Sequence, residues 1–271
     1  MGEVIAGATE ALPKPRPWAQ AAHRARYRAA IAAKAALAPR TRDPVFVLCT
    51  PRTGSYVLVD YLNCLPGVTL RGEVLNPDTS IGPRRQLRST RQIARHLRRS
   101  IDSLPGPVKG AKIFLGLRER GFTLDHLRAV FPEVRLVVLY RRSLADQYIS
   151  GRIALEAGRW THRRSGGGWD GRFVIDPEHW RWWLERRRSE YEDALAIPWV
   201  RDRAVVVAYE DMVSAPESVF SDVICPFLEV PPAPLTTRNV KLPRRALHEI
   251  VENLADVAPL LHDPRACLEL P

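Results

Sequence analysis

The sequence predicts an α/β protein in which a parallel sheet carries helices on both faces. Three observations lead there. A short uninterrupted apolar run at 45–49 has the character of a strand buried on both sides, and 134–140 reads as a further, largely apolar strand. Stretches with helical spacing separate those runs. A chain of 271 residues, 45% hydrophobic, is long enough to bury the core such a sheet requires.

In chain order, residues 1–40 read as a helical N-terminal extension. Pro13, Pro15 and Pro17 stiffen its lead, and the Ala/Arg-rich stretch from Trp18 to Leu37 reads as one helix with little apolar surface to bury. Residues 39–44 link it to a single domain, 41–271. The strand at 45–49 breaks at Thr50-Pro51-Arg52-Thr53-Gly54-Ser55, and helical spacing follows through Leu58, Tyr61, Leu62 and Leu65. A second strand covers 113–115, led by 108–112, then a short helix at 124–131 and a third strand at 134–140. Ser143 and Asp146 are spaced as a capping box for a helix over 143–157. A strand at 204–208 and a helix over 217–227 follow, and no internal repeat is visible.

Lys and Arg number 41 against 30 Asp and Glu, a formal charge of +11 that attracts polyanions, phosphorylated small molecules or anionic surfaces. Cys49, Cys64, Cys225 and Cys267 lie far apart with no C-x-x-C pair, which argues against a disulfide scaffold or a zinc ribbon. No apolar run reaches the ~20 residues of a membrane span. No continuous apolar stretch precedes a small-residue cleavage site near the N-terminus and Ala6 occupies the hydroxyl position of a myristoylation motif, so neither a secretory signal nor myristoylation is expected. A cytoplasmic protein is expected.

The chemistry concentrates in two places. At Pro51-Arg52-Thr53-Gly54-Ser55 a buried strand runs through a tight turn into a helix, which aims backbone N–H groups and the positive helix end at one point. Gly54 admits close approach of a phosphate, Thr53 and Ser55 offer hydroxyls, and Arg52 adds a cation. It is not a Walker A loop, for the turn has no Lys and no G-x-x-x-x-G-K-[ST] occurs. By itself the turn reads equally well as a helix cap. After the third strand comes Arg142, with Ser150 about two helical turns further on. Both places fall at strand C-termini, where open parallel sheets bind ligands, and two anion sites there suit a nucleotide with phosphates at both ends.

With these blocks in view, the sequence resembles the bacterial sulfotransferases that use 3′-phosphoadenosine 5′-phosphosulfate (PAPS). It is most similar to the carbohydrate branch that includes the nodulation-factor and trehalose enzymes. The likeness rests on Phe46 to Ser55 with Gly72-Glu73-Val74-Leu75-Asn76-Pro77; on Gly110-Ala111-Lys112-Ile113; on Leu139-Tyr140-Arg141-Arg142 with Gln147, Ser150, Ala154, Leu155 and Gly158-Arg159-Trp160; and on Tyr209-Glu210-Asp211 with the 238–253 tail. These blocks occur in the family's order and span most of 45–257.

The resemblance implies the sulfotransferase fold, a P-loop-like parallel sheet flanked by helices on both faces. It further implies sulfuryl transfer from PAPS, with PAP as product, to a carbohydrate or small-metabolite hydroxyl, in line and with no metal required. Pro51, Arg52, Thr53, Gly54, Ser55 and Tyr56 would hold the 5′-phosphosulfate, with Arg52 where many relatives carry a catalytic lysine. Arg142 and Ser150 would bind the 3′-phosphate, and Arg238 and Lys241 would close over phosphate. Glu73 would be the general base, a pairing with Arg71 or a loop cation being its plainer role. The chain departs from relatives in its N-terminal extension and in Ser165-Gly166-Gly167-Gly168-Trp169. That stretch, with Trp160, Trp180, Trp182 and Trp183, suits an acceptor lid or, more simply, core or dimer contacts.

Two other classes compete. Seven arginines between Arg84 and Arg99 suggest a basic helix on nucleic acid, but no aromatics interleave them, so a solvated face is the better account and no nucleic-acid partner is expected. A phosphotransferase using ATP would need the loop Lys that is absent. A homo-oligomer is compatible with the sequence, which does not identify the acceptor.

Overall fold

The computed structural model describes residues 17–83, 87, 89–116, 121–158, 169–239 and 245–271. Five strands form one sheet in the order β2-β3-β1-β4-β5, every pairing parallel. They are β1 (Val45–Cys49), β2 (Val68–Glu73), β3 (Val108–Phe114), β4 (Arg135–Tyr140) and β5 (Ala204–Ala208). Strands β1 and β4 are neighbours although β2 and β3 lie between them in sequence, so the strand order reverses there. The C-terminal ends of β1 and β4 thus open on the crevice where such sheets take ligands.

Every residue of β1 is fully buried, as the unbroken run VFVLC requires of a central strand. Its side chains alternate between two cores. Phe46 and Leu48 join Leu136, Val138, Leu97, Trp180 and Tyr191 on one face; Val45, Val47 and Cys49 join Leu58, Leu62, Val207 and Phe220 on the other. The first face is covered by α3 (Thr90–Asp102), α4 (Leu124–Val130), α5 (Leu144–Glu156) and α6 (Pro177–Leu195). The second is covered by α2 (Ser55–Leu62) and by the segment from Tyr209 to Leu228, whose middle makes a π-helical turn just before Pro226.

The helix expected over 143–157 is α5, and Ser143 caps it by accepting from the Asp146 N–H at 3.1 Å. Helix α1 (Pro17–Leu37) packs on α3. Strand β2 and the 19-residue α6 are additions to the sequence reading. Trp180 is buried on α6 against Tyr148 and Trp183, while Trp182 is about half exposed. Arg159, Trp160 and 161–168 lie outside the described residues, as do Arg84, Arg85 and Arg88. Among the described residues no helix is long and apolar enough to cross a membrane.

Candidate functional site

The turn after β1 is held open by its neighbours. Arg52 (φ 70°) and Gly54 (φ 78°) both take left-handed backbone conformations, the first unusual for a residue with a Cβ. A Cβ on Gly54 would collide with the Tyr209 ring, so glycine is required twice over. Gln147 of α5 donates to Thr50 Oγ1 (2.7 Å) and to the Pro51 carbonyl (2.6 Å). The buried Tyr191 hydroxyl of α6 accepts from the Thr50 N–H at 3.1 Å and donates to the Leu139 carbonyl at 2.9 Å. Two strand ends and the turn are thereby fixed to one phenol. Helix α2 then opens at Ser55 and Tyr56, ahead of its first bonds from Val57 and Leu58 to the Gly54 carbonyl.

The hydroxyls divide the work. Thr53 is fully buried and donates back to the Thr50 carbonyl at 3.0 Å, so it shapes the turn. Ser55 accepts from Lys112 Nζ at 3.3 Å. Lys112 has no exposed surface at all; its ammonium pairs with Glu73 Oε1 at 2.9 Å and lies 3.6 Å from the centre of the Tyr56 ring. The buried lysine therefore joins the turn after β1 to the carboxylate. Lys112 stood within one of the resembling blocks but was not singled out by the sequence reading.

Glu73 reaches Lys112 through an irregularity in β2. The register runs Arg71 opposite Ala111 and then Glu73 opposite Lys112, so Gly72 is an extra residue. The bulge turns Glu73 onto the face that Lys112 occupies. The pairing with Arg71 is not made: Arg71 donates to Tyr27 and Ser103 instead. Tyr56 Oη donates to Glu73 Oε1 at 3.0 Å and Asn76 Nδ2 to Oε2 at 2.5 Å. Burial alone would raise the carboxyl's pKa, but the Lys112 charge and these hydrogen bonds outweigh it and hold the group below the usual carboxylate range.

The second predicted place meets the first. Arg52 Nε donates to Ser150 Oγ at 3.1 Å, so the turn after β1 and the hydroxyl on α5 belong to one pocket. Burial lowers the pKa of Arg52, and the nearby Arg141 guanidinium lowers it further. Arg141 was passed over in favour of its neighbour. Its guanidinium stacks 4.9 Å from the centre of the Tyr209 ring, lies 3.4 Å from Asp146 Oδ2, and sets its buried Nε 3.8 Å from Glu210 Oε1, an ion pair too long for a hydrogen bond. Arg142 faces elsewhere: Asp211 grips it with two oxygens at 2.6 and 2.7 Å, and Glu269 stands 3.4 Å from its Nε. Those carboxylates raise its pKa, Asp211 most.

Asp60 of α2 anchors the late loop, accepting from Thr237 Oγ1, the Arg238 N–H and Asn239 Nδ2. This sets the exposed Arg238 beside α2; Lys241 lies outside the described residues. The two crowded guanidiniums of Arg52 and Arg141, the latter flanked by Asp146 and Glu210, with a tight turn and the first N–H groups of α2, form a donor set suited to an anion.

No protein-family model matches the chain, and no curated protein matches it. Among solved structures, it is similar to a sulfotransferase from Alicyclobacillus acidocaldarius, at 15% identity and TM-score 0.48 over 80% of this chain and 92% of that one. A sulfotransferase domain from the curacin biosynthetic pathway aligns at 18% identity and TM-score 0.44, covering 74% of this chain and 80% of the domain. Mouse sulfotransferase SULT7A1 complexed with PAP aligns at 13% identity and TM-score 0.38, covering 75% and 64%. These are loose likenesses of chain path at low identity.

Proposed function

We propose that this protein is a PAPS-dependent O-sulfotransferase acting on a hydroxyl of a carbohydrate or small specialised metabolite. The observation that carries the reading is the continuity of the site. Arg52 touches Ser150 at one end of the turn, and Lys112 links Ser55 to Glu73 at the other. Cationic groups and a carboxylate are thus brought together at the C-terminal ends of β1, β2 and β4, joined through Lys112 of β3.

Pro51, Thr53, Gly54, Ser55 and Tyr56 would cradle the 5′-phosphosulfate, with Arg52 and Lys112 supplying positive charge. Ser150 and Arg141 would meet the 3′-phosphate, Arg142 would join them on leaving Asp211, and Arg238 and Lys241 would close from the late loop. PAPS, when bound, supplies the sulfuryl group and a phosphate leaving group. The residues do the rest. Glu73 takes the proton of the acceptor hydroxyl on a carboxylate oxygen, and Lys112 keeps that carboxylate ionised and aimed. Fixed cations in a water-poor site stabilise charge as it moves onto the leaving oxygen.

The test is Glu73→Gln, assayed as PAP release from PAPS over a panel of sugar and metabolite hydroxyls. Turnover should fall by about 10²- to 10⁴-fold, the usual worth of a positioned base, while PAP affinity stays within a few-fold. The substitution leaves Lys112 buried without its carboxylate, so the assay belongs at a temperature where the variant is folded. An unchanged rate in a folded variant would place the base elsewhere.

A further inference from the structure

We infer that helix α1 is part of the catalytic apparatus at one remove: Arg28 is a positioning residue that sets Glu73 through the loop at 76–82. The inference rests on the reading of Glu73 as the base and assigns a role to the extension that the proposed reaction does not use.

Helix α1 contains no Asp or Glu, so it carries no carboxylate of its own to pair with its cations. Arg24, Tyr27, Arg28 and Ile31 are spaced to lie along one face. Ile31 is buried, and the other three bind the neighbourhood of β2. Arg28 donates to the Gly82 carbonyl at 2.6 Å and Arg24 to the Asp78 carbonyl at 3.3 Å, while the Tyr27 hydroxyl accepts from Arg71 at 2.9 Å.

From Gly82 an unbroken chain of hydrogen bonds leads to the carboxylate. The Gly82 N–H donates to Thr79 Oγ1 at 3.0 Å, and that hydroxyl lies 2.8 Å from the Asn76 carbonyl and 3.0 Å from the Glu73 carbonyl. The Asn76 side chain then holds Glu73 Oε2. Gly82 packs so tightly on the Asn76 carbonyl that a Cβ there would overlap it, leaving the chain little slack. From the other side, His96 of α3 meets the Val74 carbonyl at 2.7 Å. A helix with little apolar surface is thus docked through backbone carbonyls of the segment that carries the base.

The groups facing Glu73 are Lys112 of β3, Tyr56 of α2, Cys49 of β1 and Asn76 of its own loop. Only Asn76 sits on the segment that α1 holds. Loosening α1 therefore weakens one of the hydrogen bonds that keep Glu73 acidic, and the acid limb of kcat moves to higher pH.

The test compares Arg28→Ala, Arg28→Lys and, as a control on the same helix, Lys34→Ala in the full-length protein. Arg28→Ala should lower kcat about tenfold, the worth of one charge-assisted hydrogen bond. KM for PAPS should stay within twofold, and the acid limb of kcat should rise. Arg28→Lys should recover part of both, and Lys34→Ala should match the unmodified chain. Amide hydrogen exchange should quicken across 74–82 in Arg28→Ala and not in the Lys34 control. Unchanged exchange there, or unchanged kcat and acid limb despite faster exchange, overturns the role of Arg28. If the unmodified protein transfers nothing from PAPS, the base reading has failed, and the exchange experiment still decides whether α1 holds the loop.

Discussion

Replacing Lys112 by methionine removes a buried ammonium and keeps nearly the same volume. Glu73, about nine-tenths buried, would then retain hydrogen bonds from Tyr56 and Asn76 but no countercharge. Breaking one side of a buried pair costs about 3–5 kcal/mol. The two retained hydrogen bonds place this case near the lower end, about 3 kcal/mol, or a Tm loss of about 6–10 °C for a chain of this size. The pH dependence carries the sign. In the unmodified protein the Glu73 pKa is depressed, so its contribution is present above the unfolded value of about 4.3 and is lost as pH falls through the folded value. In Lys112→Met burial prevails and the pKa rises, so the variant's deficit is largest near neutral pH and fades as Glu73 takes up a proton. Scanning calorimetry between pH 4 and pH 8 reads both quantities. The double variant Lys112→Met/Glu73→Gln should regain most of the lost Tm at neutral pH. A Tm within 2 °C of the unmodified protein at neutral pH, or a deficit that grows on acidification, would refute the buried-pair account.

Two further outcomes follow from the same geometry. Arg141→Ala should weaken PAP binding by about 10- to 100-fold in calorimetric titration, as for loss of a hydrogen bond to a charged group. Arg142→Ala should cost less, because a phosphate must first displace the Asp211 fork; the opposite ranking would make Arg142 the principal clamp. Tyr191→Phe strips the Thr50 N–H of a buried acceptor and should lower stability by about 1–3 kcal/mol, read as a reduced denaturant midpoint with an unchanged slope; no change would mean the turn is held by Gln147 alone.

The parts of the fold legible in the sequence were those whose burial is extreme. Strand β1 and residues 136–140 of β4 are continuous apolar runs because helices cover both their faces, and β5, a partly buried edge strand, is still an unbroken AVVVA run. Strand β2 escaped notice because its apolar pattern is broken: Val68 and Leu70 are buried, but Thr69, Arg71 and Gly72 interrupt them. Helix α6 is rich in Arg and Glu paired at i,i+4, which hides its narrow buried stripe of Trp180, Leu184 and Tyr191. Its start was readable, since Asp176 caps the Glu178 N–H and Pro177 follows at the first helical position.

The site divides in the same way. A turn between strand and helix is local, so Arg52, Gly54 and Ser55 could be named from spacing. Lys112 and Glu73 meet across two strands through a one-residue bulge, which no spacing rule announces. Arg141 and Arg142 are adjacent in sequence, and their surroundings differ through a partner that lies far off: Asp211, 69 residues later, holds Arg142.

A comparative thermal shift with PAP, AMP, ADP and ATP tests whether a single crevice recognises both charged ends of an adenosine nucleotide. At a hundredfold excess over its dissociation constant, PAP should add about 2.7 kcal/mol, a rise of about 5–10 °C, and at matched concentration the three nucleotides lacking a 3′-phosphate should each give less. Equal or larger shifts with AMP or ATP would contradict it.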